Sequence, residues 1–284
     1  MVAIDDLVVR PLRPDDIAAA CALNAEAGWN QVAADWRYML DAGDGLAVEA
    51  PDGALIATGM VLPYGGRFGW IAMILVTGAW QRRGIASEIM RRCIVRCREA
   101  GLVAGLDATE QGRPVYLPLG FRDVYPISRW QTEVVRVSGP VAGVRPLRPD
   151  DVETLAAWDA AAFGADRRAL LQHLTVRAGG LAHLADANGE IRGYVLARDG
   201  RRATQLGPLV AADRETAQAL LAAALAHVAG AVFLDGVDVH DWLAAWLQER
   251  GFTRQRGYVR MLLDGEAPLD DPARVFLIAG PELG

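Results

Sequence analysis

A chain of 284 residues exceeds the usual single domain of roughly 100 to 200 residues, so two units of ordinary size are expected. Hydrophobic residues at 52% and charged residues at 23% supply packed cores and exclude a disordered chain. A net charge of −6, without lysines or arginines clustered among aromatics, excludes a nucleic-acid footprint, and no apolar stretch approaches the roughly 20 residues of a membrane helix.

The first ten residues carry Asp5 and Asp6 and no basic segment ahead of an apolar one, so no secretory signal is read and the cytoplasm is the expected compartment. Val9-Arg10-Pro11-Leu12-Arg13-Pro14-Asp15-Asp16-Ile17 then reads as a strand entering a helix. Pro14 stops the strand, and the Asp pair can cap the helix and complement its dipole. Strands are predicted over 47–62 and 70–76. Residues 86–100 place apolar side chains at 86, 89, 90, 93, 94, 97 and 100, one face of a helix that Gly101 stops, and another strand follows over 103–108. Cys21, Cys93 and Cys97 cannot all pair with one another, and no histidine lies near the last two. Reduced core thiols and no metal site are expected.

The opening motif returns as Val144-Arg145-Pro146-Leu147-Arg148-Pro149-Asp150-Asp151-Val152, 135 residues on, and Asp107, Gly120 and Phe121 are echoed by Asp238, Gly251 and Phe252 at a spacing of 131. Two related domains follow, 1–139 and 140–284, with a short linker at 139–143. In each the order strand, helix, strand recurs, over 204–210, 214–229 and 231–239 in the second, so the fold class is α+β, in mixed α/β layers.

The chemistry concentrates in Val76-Thr77-Gly78-Ala79-Trp80-Gln81-Arg82-Arg83-Gly84-Ile85-Ala86, between an apolar strand and an amphipathic helix. A helix N-terminus offers unpaired N–H groups and partial positive charge to an anion, and Gly84 and Ala86 are small enough to let it approach. Arg82 and Arg83 add positive charge where a purely structural helix favours acids. This segment resembles the acyl-CoA loop of the GNAT acetyltransferase superfamily: Gln81, Arg82, Gly84 and Ala86 fit its pattern, while Gly78 stands where the family often has proline. The resemblance implies that the backbone through Arg82, Arg83, Gly84, Ile85, Ala86 and Ser87 holds the pyrophosphate of acetyl-CoA. It also implies that Ile74, Leu75 and Val76 meet the pantetheine arm and that Thr109 is a further cofactor contact. Tyr116, separated by three residues from Gly120-Phe121, matches the family tyrosine that protonates the departing thiolate, a task suited to a phenol at neutral pH.

Most of the chain is similar to a tandem GNAT subgroup with a degenerate second domain, the likeness extending to 27–31, Asp35-Trp36 and 278–284. Each domain is then expected to be a mixed central sheet flanked by helices. In the second half Glu215, Thr216, Gln218 and Leu220 stand where Gln81, Arg82, Gly84 and Ala86 do, and Leu247 replaces Tyr116, so that half is expected to hold no CoA. The implied activity is N-acetyl transfer to a small-molecule amine; a non-catalytic acyl-CoA sensor and a protein N-acetyltransferase are the alternatives. The assembly is left open between a single chain and a homodimer. The strand over 69–76 has no acid, which leaves Glu26, Asp107 and Glu110, then His173, His183 and His240, as candidates for the base, with none preferred. Trp29, Asn30, Trp36 and Trp70 are the candidate acceptor contacts, since tryptophans can enclose an apolar or cationic ligand as readily as they pack a core.

Overall fold

The repeated opening motif is a local device, and both copies use it alike. Arg10 donates to both carboxylate oxygens of Asp16 at 2.7 Å, while the N–H of Arg13 donates to the same carboxylate at 2.7 Å. Arg145 grips Asp151 at 2.7 and 2.9 Å, with the N–H of Arg148 at 2.8 Å. Each pair ties an edge strand to the short helical turn behind it. In a computed structural model of the chain, which describes residues 7–134, 143–265 and 268–284, this device opens each of two similar halves. The linker expected at 139–143 lies, up to residue 142, outside the described residues.

The first half runs β1 (Val8–Pro11), α1 (Ile17–Glu26), α2 (Ala33–Ala42), β2 (Asp44–Glu49), β3 (Leu55–Tyr64), β4 (Phe68–Val76), α3 (Ile85–Glu99), β5 (Val103–Thr109), α4 (Arg113–Tyr116) and β6 (Arg122–Thr132). The second runs β7 (Val144–Pro146), α5 (Val152–Phe163), α6 (Arg168–Arg177), β8 (His183–Ala187), β9 (Glu190–Arg198), β10 (Thr204–Ala211), α7 (Arg214–Leu225), β11 (Val232–Val237), α8 (Asp241–Glu249), β12 (Thr253–Leu263) and β13 (Val275–Leu277). The segment 47–62, read as one extended stretch, is β2 and β3 joined by a turn; the helix read over 86–100 is α3, whose buried face includes Ile89, Cys93 and Cys97. Burial pushes the Cys93 thiol up to about 12 and that of Cys97 to about 11, as expected of core thiols.

The thirteen strands among the described residues join one mixed sheet in the order β1-β2-β3-β4-β5-β12-β6-β11-β13-β10-β9-β8-β7. The halves exchange their long strands: β12 pairs with β5, β6 pairs with β11, and β6 and β12 run antiparallel in the middle. A division at 139/140 therefore parts strands that are hydrogen-bonded neighbours. Each exchanged strand brings a buried arginine to an aspartate on the strand beside it. Arg260 of β12 binds Asp107 of β5 through two bonds of 2.9 Å, and Arg129 of β6 binds Asp235 of β11 through two of 2.7 Å. The spatial counterpart of Asp107 is thus Asp235, not Asp238, which instead accepts from the Ser128 hydroxyl at 2.8 Å.

The helices distribute the core unequally. A single apolar cluster, with Trp36, Phe68, Phe163 and Tyr194 among its fully buried members, draws on α1 and α2 and on α5 and α6 together. A separate cluster lies under α3 and another under α7. One core belongs to both halves. No helix among the described residues is long and apolar enough to cross a membrane.

A chain cut after residue 139 loses β12, which leaves β5 with an open edge and Asp107 buried without Arg260. Breaking a buried pair in this way costs about 3–5 kcal/mol, a large part of the roughly 5–15 kcal/mol that holds a domain folded. Residues 1–139 alone should show no cooperative thermal transition, and coexpression with 140–284 should restore one; a cooperatively melting 1–139 monomer would show that the exchange is dispensable.

Candidate active site

β4 and β5 run parallel but pair only at Phe68–Val103, Gly69–Ala104 and Trp70–Gly105. Beyond these they part, and Ile71–Ile74, Leu106, Asp107 and Thr109 border a solvent-open cleft. A bulge turns β4 at that point. Thr58 opposes Leu75 and Met60 opposes Ala72, so Gly59 alone faces Met73 and Ile74. Met73 adopts φ +55, a left-handed backbone unusual for a side-chain-bearing residue, and the Thr58 hydroxyl holds its carbonyl at 2.9 Å. Gly59 also lets α3 approach, since a Cβ there would lie 2.4 Å from Ile89.

The end of β4 leads through a short helical turn, Gly78–Trp80, into α3. Glu26 caps that turn: the Gly78 N–H and the Thr77 hydroxyl donate to its two oxygens at 2.6 and 2.8 Å, which holds its carboxyl below the usual range. Gln81 donates to the Val76 carbonyl at 3.0 Å and fastens the loop to the strand. Arg82 (φ +59) and Gly84 (φ +83) then take left-handed conformations. No side chain caps α3, and the N–H groups of Ile85, Ala86 and Ser87 meet no acceptor among the described residues. Arg83 donates to the Ala79 carbonyl and lies over the Trp80 ring at 4.7 Å, whereas Arg82 has no ion-pair partner among the described residues. An open helix start beside an unengaged guanidinium suits a phosphate group.

Tyr116, Thr109 and Ile74 line the cleft together. Tyr116 ends α4 with its N–H bonded to the Gly112 carbonyl at 3.2 Å, and Pro118 falls in the separate turn Leu117–Leu119, where it disturbs no helix. Gly112 makes room for the ring, because a Cβ there would stand 2.8 Å from it. Burial, with a smaller contribution from Cys93, pushes the Tyr116 phenol up to about 12. It is a proton donor at neutral pH.

The matching place in the second half is closed. β10 and β11 pair in parallel at Thr204–Val232, Gln205–Phe233 and Leu206–Leu234, and β13 then enters between them, with Leu277 opposite both Leu209 and Gly236. Phe276 and Leu277 are buried there. The start of α7 is capped by Asp213, which accepts from the Thr216 N–H at 2.8 Å. The lost glycine turn was legible in the sequence; the strand that fills the gap was not.

The far wall of the open cleft comes from distant parts of the chain: Trp29 and Gln31 between α1 and α2, Arg129 on β6, Tyr258 on β12, and Pro281 and Glu282 beyond β13. Of the four expected acceptor contacts only Trp29 lines it. Asn30 spends its amide on the second half, donating to the Ala203 carbonyl at 3.0 Å and accepting from the N–H groups of Arg202 and Ala203 at 2.9 and 3.1 Å. Trp36 is fully buried in the shared core, and Trp70, also buried, donates to the Pro281 carbonyl at 2.9 Å.

The base candidates fare similarly. Asp107 borders the cleft, but Arg260 occupies both its oxygens; burial pushes it above the usual carboxylate range against the pull of that arginine. Glu26 is engaged at the loop, and Glu110 sits exposed in the turn after β5. His173 stacks on Tyr38, His183 faces His227, and His240 stacks on Phe276. None of these three lines the cleft. Gln31, Tyr258 and Glu282 carried no local sequence signal, although 27–31 and 278–284 both fell within the resemblance.

Comparison with known proteins accords with this geometry. The model of the Acetyltransferase (GNAT) family matches residues 17–121, and that of an Acetyltransferase (GNAT) domain matches residues 155–277. The chain is 24% identical to the uncharacterized N-acetyltransferase YitH of Bacillus subtilis, over 98% of this chain and 99% of that protein. A putative acetyltransferase from Pyrococcus horikoshii superposes with a TM-score of 0.84 at 24% identity, covering 100% of this chain and 98% of the other. A tandem GNAT protein from the clavulanic acid biosynthesis pathway gives a TM-score of 0.65 at 16% identity over 90% and 98% of the two chains.

With its phenol raised to about 12, Tyr116 should stay protonated where an exposed tyrosine, near 10, ionises. The near-ultraviolet absorbance rise up to about pH 11 should therefore be the same in the wild-type chain and in Tyr116→Phe. A loss of one tyrosine's amplitude in the variant would place that phenol in water.

Proposed function

The chain belongs to the GNAT acetyltransferase family, with one family domain in each half, and from that premise we propose that it transfers the acetyl group of acetyl-CoA to the amine of a small molecule at the cleft of its first half. The observation that carries this reading is the contrast between two equivalent places: an open strand gap leading to an uncapped helix start in one half, a filled gap and a capped helix in the other.

The residues present fit such a cosubstrate. The N–H groups from Arg82 to Ser87 and the Arg82 guanidinium suit the pyrophosphate, and the parted edge of β4 from Ile74 to Val76 suits the pantetheine amides, the Val76 carbonyl being already engaged by Gln81. Acetyl-CoA supplies the activated thioester. Tyr116 stands in the same cleft with its proton held, ready to pass it to the sulfur as the carbon–sulfur bond breaks. Met73 and Ile74, on the bulge, hold the strand edge in one conformation, so the reacting groups meet a prepared surface.

Calorimetry should find one acetyl-CoA per chain. The double substitution Gly84→Glu with Ala86→Glu blocks the backbone and adds negative charge at the phosphate position, so it should abolish binding, while Gln218→Glu, at the equivalent place in the second half, should leave it intact. Two equivalent sites, or none, would overturn the reading. Tyr116→Phe should lower turnover by about 10²- to 10⁴-fold with little change in acetyl-CoA affinity. Binding without turnover of any amine or protein would make the chain an acyl-CoA sensor instead.

A further inference from the structure

Four buried side-chain oxygens have no hydrogen-bond partner among the described residues: Asn24 Oδ1, Gln31 Oε1, Asp270 Oδ1 and Glu282 Oε2. Two of their owners, Gln31 and Glu282, line the cleft, where they are 7% and 3% exposed. The position of Glu282 is built rather than incidental. Its other oxygen is bound by Arg198, which also donates to the Ala279 carbonyl and pairs with Asp35 at 3.1 Å. The segment that carries it is fastened on both sides, by the Trp70 indole at the Pro281 carbonyl and by the Tyr64 hydroxyl at the Leu283 carbonyl, 2.8 Å away. Gly280, at φ +139, gives the carboxylate its room, since a Cβ there would stand 2.9 Å from Glu282 Oε2 and from Arg198. One carboxylate oxygen is thereby pinned while the other, itself buried, has no partner among the described residues, in a side chain that lines the cleft.

Resting on the acetyl-transfer reading above, we propose that Glu282 and Gln31 receive the acceptor as a small primary ammonium and that Glu282 takes its proton. The chemistry of the two orphan atoms selects this class of ligand. Both are acceptors, so they call for a donor and repel an anion, and an ammonium offers three N–H bonds. Trp29 lines the same wall, and an indole is the kind of ring that attracts cations. Tyr116 closes the other end of the reaction. Glu282 Oε2 takes one proton from the ammonium, and the freed nitrogen pair forms the carbon–nitrogen bond to the thioester carbonyl. As the carbonyl re-forms, the carbon–sulfur bond breaks and its electron pair leaves on sulfur, which takes the Tyr116 proton. The second nitrogen proton returns to the Tyr116 phenolate, and Glu282 releases its own to solvent. The balance is one amide, one thiol and one proton from an ammonium and a thioester.

The test uses the full chain with saturating acetyl-CoA and three amine probes, butylamine, putrescine and ethanolamine, read by thiol release. At least one should be acetylated. Glu282→Gln keeps the shape and the Arg198 contact, and should lower kcat about 10²-fold or more while leaving acetyl-CoA binding as it was. Gln31→Leu should raise the KM for the amine about 10-fold with kcat held and no loss of thermal stability, because it removes an acceptor that the free chain leaves unused. Three inert amines on a chain that binds acetyl-CoA would overturn this proposal and leave the acetyl-CoA reading standing, whereas a chain that does not bind acetyl-CoA fails at the earlier step. Variants that match the wild type would also overturn it. Should Glu282→Gln fail to fold, Gln31→Leu decides: lowered stability with an unchanged amine KM would mean that the orphan oxygens serve a structural water, and the proposal falls.

Discussion

The reciprocal exchange of β6 and β12, locked by the Arg129–Asp235 and Arg260–Asp107 pairs, is the constraint on which the rest of the molecule depends. Two charges taken out of water gain little net stability from each other, but leaving either one alone is costly. Such pairs act chiefly on register. A one-residue slip of β12 against β5 would turn Arg260 to the opposite face of the sheet and strand Asp107 in the interior. Arg260 is further held by Asp270 and lies over the Trp70 ring at 4.6 Å, so the strand from the second half is fixed against the floor of the first. The cleft inherits its far wall from this arrangement, since Tyr258 and Arg129 reach it only because their strands have crossed over.

One plan used twice gives two different outcomes because the chain beyond β12 can do only one thing at each place. In the second half it returns as β13 and fills the gap where β10 and β11 part, which satisfies strand edges that would otherwise stand open. Immediately afterwards, 278–284 crosses to the first half and lies beside its gap without filling it, ending in the packing of Gly284 against Trp70 and Phe163. The Asp213 cap on α7 completes the closure, while the corresponding start of α3 has only Gly84 and stays open.

What the sequence made legible follows the distance over which each signal acts. The Arg10–Asp16 device spans six residues, and its copy at 145–151 was readable as a repeat for that reason. The turn from Gln81 to Ala86 and the apolar face of α3 are also local, and the structure places Gly84 in a left-handed conformation at a helix start that no side chain caps. The strand exchange is not local. The echo of Asp107 was sought at 238 because the spacing of 131 holds for Gly120 and Phe121, but the segment between the aspartate and that glycine is three residues longer in the second half, which moves the true counterpart to Asp235. Composition could not sort the tryptophans either. Trp29 stands at a loop whose neighbours bind the second half, whereas Trp36 sits on the inward face of an amphipathic helix and Trp70 on a strand covered from both sides.

The retention of the degenerate half has a physical reason in the loop between α1 and α2. Asn30 ties that loop through three hydrogen bonds to 202–203, the Arg201 N–H reaches the Asn30 carbonyl at 2.7 Å, and the Arg201 and Arg202 side chains add bonds to the carbonyls of Trp29 and Gly28. Trp29 and Gln31 flank this anchor and line the cleft on either side of it. A loop that met only its own domain would be free to fluctuate, and contacts on it would be poorly placed. Here its position is set by a strand connection in the other half and by the shared core beneath α2 and α6, and Arg198 ties Asp35 at the start of α2 to Glu282. The second half thus holds in place backbone that borders the cleft of the first, and neither the Asp213 cap on α7 nor the strand that fills its own gap interferes with those contacts.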